Sequence, residues 1–276
     1  MKIHDFAAKK QKGEKISMVT CYDYTFARIL ADSEVDCLLV GDSLAMVMHG
    51  FSTTLNASVE LMALHTAAVA RGASNKFIVG DLPFLSFRKD LASNMTAIGE
   101  VMQAGAQAVK LEGAKGNLDL IKHTVESGVP VMGHLGLTPQ SIHQMGGFKV
   151  QGKEKREHDQ IFEEALQLEK VGCFSLVLEC VPAKLATEIS RAISIPTIGI
   201  GAGAGAVDER RGTVRTTGHF PLVPEADPPG PGGEWDHRFE AGAGRRFHAR
   251  PGAAEDYRAR GCGIVPGPYP GWRLSR

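Results

Sequence analysis

The chain has 276 residues, 43% of them hydrophobic, and its 31 basic and 31 acidic side chains leave no formal net charge. That length can bury the core of one large domain or two small ones. The charge balance offers no bulk attraction to nucleic acid or to a membrane surface, so an anionic ligand must be held by local groups. The five cysteines, Cys21, Cys37, Cys173, Cys180 and Cys262, form no C-x-x-C pair, which points to reduced thiols in a cytoplasmic setting. The opening MKIHDFAAKKQKGEK has no apolar run of signal-peptide length, and no segment approaches the ~18 residues of a membrane span. A soluble intracellular protein is expected.

In chain order, ISMVTCYD predicts a first strand and TFARILADSE a first helix; CLLVGDS and KFIVGDLP predict the next strands, with SVELMALHTAAVARG as a helix between them. NMTAIGEVMQAG, AVKLEG, NLDLIKHTVESG, PVMGHLG, QIFEEALQLEKVG, CFSLVLECV and PTIGIGAG continue the alternation. Gly72, Gly105, Gly128 and Gly172 stand where helices end. Strands that are continuously apolar belong to a parallel sheet covered on both faces. A doubly wound open sheet and an eight-stranded β/α barrel both fit seven such units.

Four of these strands deliver an acid where they end: Asp42, Asp81, Glu112 and Glu179; a fifth delivers His134. Chemistry on so many successive strand ends favours the barrel, in which every strand opens into one mouth. Asp42, Asp81 and Glu112 could form an oxygen site for Mg²⁺, although each could also cap the helix that follows. Glu179 leaves a strongly apolar strand, a setting that suits proton abstraction near neutral pH, or it could close a salt bridge across the mouth. Lys110 shares a strand face with Glu112 and could stabilise an oxyanion or simply pair with an acid. His134 reads as a hydrogen-bonded structural histidine. Lys149, Lys153, Lys155 and Arg156 read as a solvated basic loop, and GIGAGAG is only weakly similar to a dinucleotide loop.

Composition breaks near residue 205. Residues 1 to 205 carry 15 Lys and 5 Arg, whereas residues 206 to 276 carry no Lys, 11 Arg and 9 of the 14 Pro. Two domains are therefore expected: a catalytic one over 1–205 and a Gly/Pro/Arg-rich tail over 206–276. Such a tail suits disorder, or translation of GC-rich DNA in a shifted frame.

The runs TCYDYTFA, LLVGDSLAMVMHG, HTAAVARGA, DLPFLSF, AVKLEG, PVMGHLGLTPQS, GGFKVQG, LVLECVP and IPTIGIGAG occur in order from residue 16 to 205. Together they resemble the 3-methyl-2-oxobutanoate (ketopantoate) hydroxymethyltransferases. The resemblance implies a (β/α)8 TIM barrel of the phosphoenolpyruvate/pyruvate type, assembled as a homodecamer. It implies transfer of a one-carbon unit from 5,10-methylenetetrahydrofolate to 3-methyl-2-oxobutanoate, giving 2-dehydropantoate for pantothenate and coenzyme A. It places Mg²⁺ on Asp42, Asp81 and Glu112, the last through water in some accounts. The keto acid falls to Asp42, Ser43, Asp81, Lys110 and His134, and the proton acceptor is Glu179. A Mg²⁺-dependent lyase or mutase of the same fold, or a non-catalytic remnant, is the alternative.

The chain departs from the family at Ala45, where Gly is usual, and at Asn56, where Pro is usual and its loss is expected to loosen a turn. Past GIGAG only Val207 and Asp208 match the segment that opens the last β/α unit. Loss of that unit would leave two sheet edges unpaired, and weak activity or none is expected.

Overall fold

The computed structural model describes residues 1–202 and the strand Thr213–Arg215. In chain order the elements are α1 (Ile3–Lys12), β1 (Met18–Thr20), α2 (Tyr24–Ala31), β2 (Cys37–Val40), α3 (Leu44–Val47), α4 (Val59–Gly72), β3 (Phe77–Asp81), α5 (Leu91–Gln103) and β4 (Ala108–Glu112). There follow α6 (Leu118–Glu126), β5 (Val131–Gly136), α7 (Ile142–Met145), α8 (Lys155–Lys170), β6 (Ser175–Glu179), α9 (Ala183–Ala192), β7 (Thr197–Ile200) and β8 (Thr213–Arg215). Every pairing is parallel and every neighbour is consecutive, from β1 to β8. This is a nearly closed barrel with helices between its strands; among the described residues no ladder joins β8 to β1.

The seven predicted strands are all present. The eighth corrects the sequence reading, which finds none: Thr213–Arg215 pairs with β7 in register Thr197↔Thr213. The compact unit holding these strands runs from Met1 to Phe220. The rest of the proposed tail, including Val207, Asp208 and Cys262, lies outside the described residues.

Both faces of the strands are covered, which is why they read as unbroken apolar runs. Leu38, Val40, Ile78, Val109 and Leu176 pack outward under the helices. Met18, Leu39, Val79, Met132, Val177 and Ile198 alternate with them and fill the interior. Asp23, Ser58 and Asp90 start α2, α4 and α5 by accepting first-turn N–H groups from Phe26, Leu61 and Ser93 at 2.9, 3.2 and 3.0 Å. Gly105, Gly128 and Gly172 follow helices with φ of 113°, 89° and 98°, as helix stops do, whereas Gly72 is itself the last residue of α4. The turn at Thr54–Asn56 forms with Asn56 in place, closed by the Ala57 N–H on the Thr54 carbonyl at 3.0 Å. Lys155 and Arg156, expected in a loop, begin α8.

Helix α1 was not legible in the sequence. Its buried Phe6 plugs the amino-terminal end of the barrel, edge-on to Phe77 and Phe174 at 5.1 and 5.0 Å between ring centroids. Lys10 Nζ donates to the carbonyls of Ser190, Ile193 and Ile195 at 3.0, 2.8 and 2.6 Å, supplying cationic donors at the carboxyl end of α9. Lys9 pairs with Asp36, which also accepts the Ser17 N–H at 2.7 Å. Because Phe6 is fully buried, Phe6→Ala should destabilise the fold by about 3–5 kcal/mol. Urea unfolding followed by circular dichroism measures it; a loss under 1 kcal/mol would mean that the plug is not part of the cooperative core.

Candidate active site

The interior layer that is apolar deep in the barrel turns polar two residues further along β3, β4, β5 and β6. Asp81 follows Val79, Lys110 follows Ala108, His134 follows Met132 and Glu179 follows Val177, each on the same inward face. The register sets them side by side: Asp81 is paired with Lys110, Glu112 with His134, and Gly136 with Glu179. Gly136 has φ 92°, and a Cβ there would stand 2.1 Å from the Glu179 carbonyl oxygen, so only glycine lets β5 approach the end of β6 this closely. The next residue, Cys180, holds a left-handed φ of 47°, fixed by its N–H on the Ile200 carbonyl and by the Gln151 N–H on its own carbonyl, both at 2.8 Å.

Lys110 Nζ lies 2.8 Å from Asp81 Oδ1 and 3.2 Å from His134 Nδ1. His134 Nδ1 lies 3.5 Å from Glu112 Oε1, and its Nε2 lies 3.2 Å from Glu179 Oε2. The contacts at Asp81 Oδ1 and His134 Nε2 are within ion-pair reach but off the hydrogen-bond direction, so neither atom has a hydrogen-bond partner. Asp42 joins from the loop after β2, its backbone N–H donating to Asp81 Oδ2 at 3.1 Å. Ser43 shares a hydrogen bond of 2.8 Å with the Tyr22 hydroxyl, whose pKa burial pushes up to about 12.

Burial and mutual repulsion govern these charges. Desolvation, then the neighbouring Asp81 and Glu112, push Asp42 up to about 8. Desolvation also raises Asp81, against the pull of Lys110. Burial alone would lower Lys110, but Asp81, Glu112 and Asp42 together outweigh it and hold the ammonium above its usual range. Burial likewise opposes charge on His134, yet Glu112 and Glu179 raise it to about 9. His134 thus faces both Lys110 and Glu112 with Nδ1 and Glu179 with Nε2, while Asp81 carries the adjacent Lys110 ammonium. Asp42, Asp81, Lys110, Glu112 and His134 are each at most 5% exposed, whereas the Glu179 side chain is 18% exposed. Glu179 is therefore the group of this set most open to an entering molecule.

The six predicted strand-end residues thus converge on one mouth, with Ser43 at its edge. They do not form a preassembled three-ligand metal cluster: among the described residues no three His, Cys, Asp or Glu side chains do. The donor set nevertheless fits a hard cation. Asp81 Oδ1 is a buried carboxylate oxygen without a hydrogen bond, and Asp42 is a buried carboxyl crowded by Asp81 and Glu112 that a cation would favour in its ionised form, while Mg²⁺ commonly uses one or two carboxylates and keeps waters. Both oxygens of Glu112 are taken, Oε1 facing His134 and Oε2 accepting the Gln140 N–H at 3.0 Å, which suits contact through water. Gln140 was missed in the sequence; Pro139 before it marks a turn directly after β5, the one local signal that could have drawn attention to it. Two shallow concavities of about 420 and 400 Å³, one lined by Leu118 and Gln160 and the other by Met95 and Gln103, lie on the helical shell away from these residues.

The sequence model of the ketopantoate hydroxymethyltransferases matches residues 1–209. The chain belongs to the ketopantoate hydroxymethyltransferase family. It is 67% identical over 201 residues to a 3-methyl-2-oxobutanoate hydroxymethyltransferase of Bdellovibrio bacteriovorus, covering 73% of this chain and 76% of that protein. The corresponding protein of Coxiella burnetii is 62% identical over 204 residues, covering 74% and 77%. Among solved structures, a phosphonomutase-like protein of Burkholderia cenocepacia superposes with a TM-score of 0.60 at 16% identity, covering 78% of this chain and 92% of that one. A 2,3-dimethylmalate lyase of the phosphoenolpyruvate mutase/isocitrate lyase superfamily gives 0.57 at 12% identity, covering 77% and 79%. These structures establish the barrel type alone. The ketopantoate hydroxymethyltransferase match ends at residue 209, close to the compositional break at 205.

Proposed function

We propose that this chain transfers a hydroxymethyl unit from 5,10-methylenetetrahydrofolate to 3-methyl-2-oxobutanoate, forming 2-dehydropantoate. Family membership supports the reaction. The observation that carries it to this chain is the single mouth in which an open carboxylate, Glu179, faces a buried ammonium, Lys110, across His134. Asp42 and Asp81, with Glu112 through water, would hold Mg²⁺, which when bound would polarise the keto group. Glu179 accepts the proton from C3 of the keto acid, and His134 aims and anchors its carboxylate. Lys110, oriented by Asp81, stabilises the negative charge that develops on the keto oxygen. The resulting carbon nucleophile forms a C–C bond to the folate-borne methylene, the methylene's C–N bonds to the folate break, water supplies the hydroxyl oxygen, and tetrahydrofolate leaves. Ser43, held by Tyr22, and Asp42 border the place where the keto acid's carboxylate would rest.

A homo-oligomer fits the surface. Phe26 and Ile29 on α2 and Leu64 on α4 are exposed on two helices packed together, and Val47, Met48 and Phe51 are exposed around His49, which meets His65 of α4 at 2.9 Å, as apolar faces between subunits are. The four described cysteines are unpaired, which fits a reducing compartment such as the cytoplasm, and among the described residues no helix is long and apolar enough to cross a membrane.

Purified full-length chain should form 2-dehydropantoate when given Mg²⁺, methylenetetrahydrofolate and the keto acid. With the β8–β1 edge unpaired among the described residues, turnover should fall well below that of its relatives. Turnover equal to theirs would refute the impairment. Product formed without the folate donor would replace the transferase reading by a lyase or mutase.

A further inference from the structure

We infer that Gln140 is a positioning residue that sets Asp42 and Glu112 for the divalent cation, an inference resting on the reading of Asp42 and Asp81 as its holders. Gln140 sits in the single 3-10 turn Pro139–Ser141 beyond β5 and is 7% exposed. Its Nε2 donates to Asp42 Oδ2 at 2.8 Å and to the Leu82 carbonyl at 2.9 Å, and its backbone N–H donates to Glu112 Oε2 at 3.0 Å. One residue from beyond the fifth strand thus ties together the ends of the second, third and fourth.

The direction of the amide is dictated by its neighbours. The Leu82 carbonyl can only accept, so the NH₂ end must face it and with it Asp42 Oδ2; a flipped amide would set its oxygen against that carbonyl. With Asp42 Oδ2 occupied by this donor, the other oxygen, Oδ1, is the one left for a cation. With Glu112 Oε2 occupied by the N–H and Oε1 directed at His134, Glu112 is held back from direct ligation. Gln140 therefore decides which oxygens are offered, in the way that groups beyond the ligands commonly tune a metal site.

The test is Mn²⁺ binding to the full chain, read from the electron paramagnetic resonance of the free ion, in the parent, Gln140→Met and Gln140→Glu. Methionine keeps the length and removes the side-chain donors to Asp42 and Leu82, leaving the backbone N–H on Glu112 in place. Glutamate keeps the shape, removes the donors and adds a negative charge. Both should weaken Mn²⁺ by about 10–100-fold with circular dichroism unchanged. Charge alone would make Gln140→Glu bind more tightly, so tighter binding overturns the inference, as does unchanged affinity in Gln140→Met. If one variant unfolds, the other decides; unfolding of both overturns it, because the residue would then serve the fold and not the cation. Absence of Mn²⁺ binding in the parent would instead defeat the reading of Asp42 and Asp81, and this inference with it.

Discussion

Replacing Glu179 with Gln should slow exchange of the C3 hydrogen of 3-methyl-2-oxobutanoate by about 10²–10⁴-fold, the range for a positioned general base. The exchange can be followed by proton NMR in D₂O without any folate, so it isolates proton abstraction from the later carbon–carbon bond. Glutamine keeps the shape and can still meet His134 Nε2, 3.2 Å away in the parent, through its amide oxygen. Binding of the keto acid should therefore change little while the exchange rate collapses. A variant that exchanges at more than a tenth of the parent rate would remove Glu179 from the role of base and direct attention to other groups of the mouth.

Lys110→Met should cost about 3–5 kcal/mol of stability, because it leaves Asp81 buried and without its counter-charge. Asp81 would be left with the Asp42 N–H on one oxygen and nothing on the other, beside Asp42 and Glu112, which already crowd negative charge into the same space. Urea unfolding in chelator should show the full loss, and added Mg²⁺ should restore part of it, since a cation could stand in for the missing ammonium. Lys110→Met combined with Asp81→Asn should be less destabilised than Lys110→Met alone. If the double variant is worse by the sum of the two single losses, the pair is not coupled and the charge argument fails.

Much of this architecture could be read from residues alone, for a physical reason. Strands such as CLLV and SLVLE are buried on both faces, so they carry an unbroken apolar signature that ends abruptly at a charged residue. That charge stands out because little around it is polar, which is why Asp81, Lys110, Glu112 and Glu179 were legible as candidate site residues. Two-residue alternation placed Lys110 and Glu112 together, and the register confirms a shared inward face. His134 read as structural, but its contacts with Glu112, Glu179 and Lys110 depend on which strands are neighbours, information that no single segment contains. Gln140 escaped for the same reason: a glutamine in a turn is unremarkable until the turn is folded over the mouth. Helix α1 was hidden because Phe6 is its one buried residue, set among lysines that look like a solvated leader. β8 is three residues long in an Arg-rich stretch and has no apolar run to announce it.

The plug formed by α1 has a consequence for the timing of synthesis. The helix is made early, and its ring partner Phe174 and the carbonyls that receive Lys10, the last at Ile195, follow about 170 to 185 residues later. At about 5–20 residues per second, the nascent amino terminus waits on the order of 10–40 s for its seat. Until then Phe6 is a free apolar group for chaperones to find. Once Ile195 has emerged the floor of the barrel can be sealed, ten residues before the composition of the chain changes. Whatever the ribosome adds after residue 205 therefore arrives at a barrel whose floor already has all its parts, and any failure to close belongs to the β8 side of the wall.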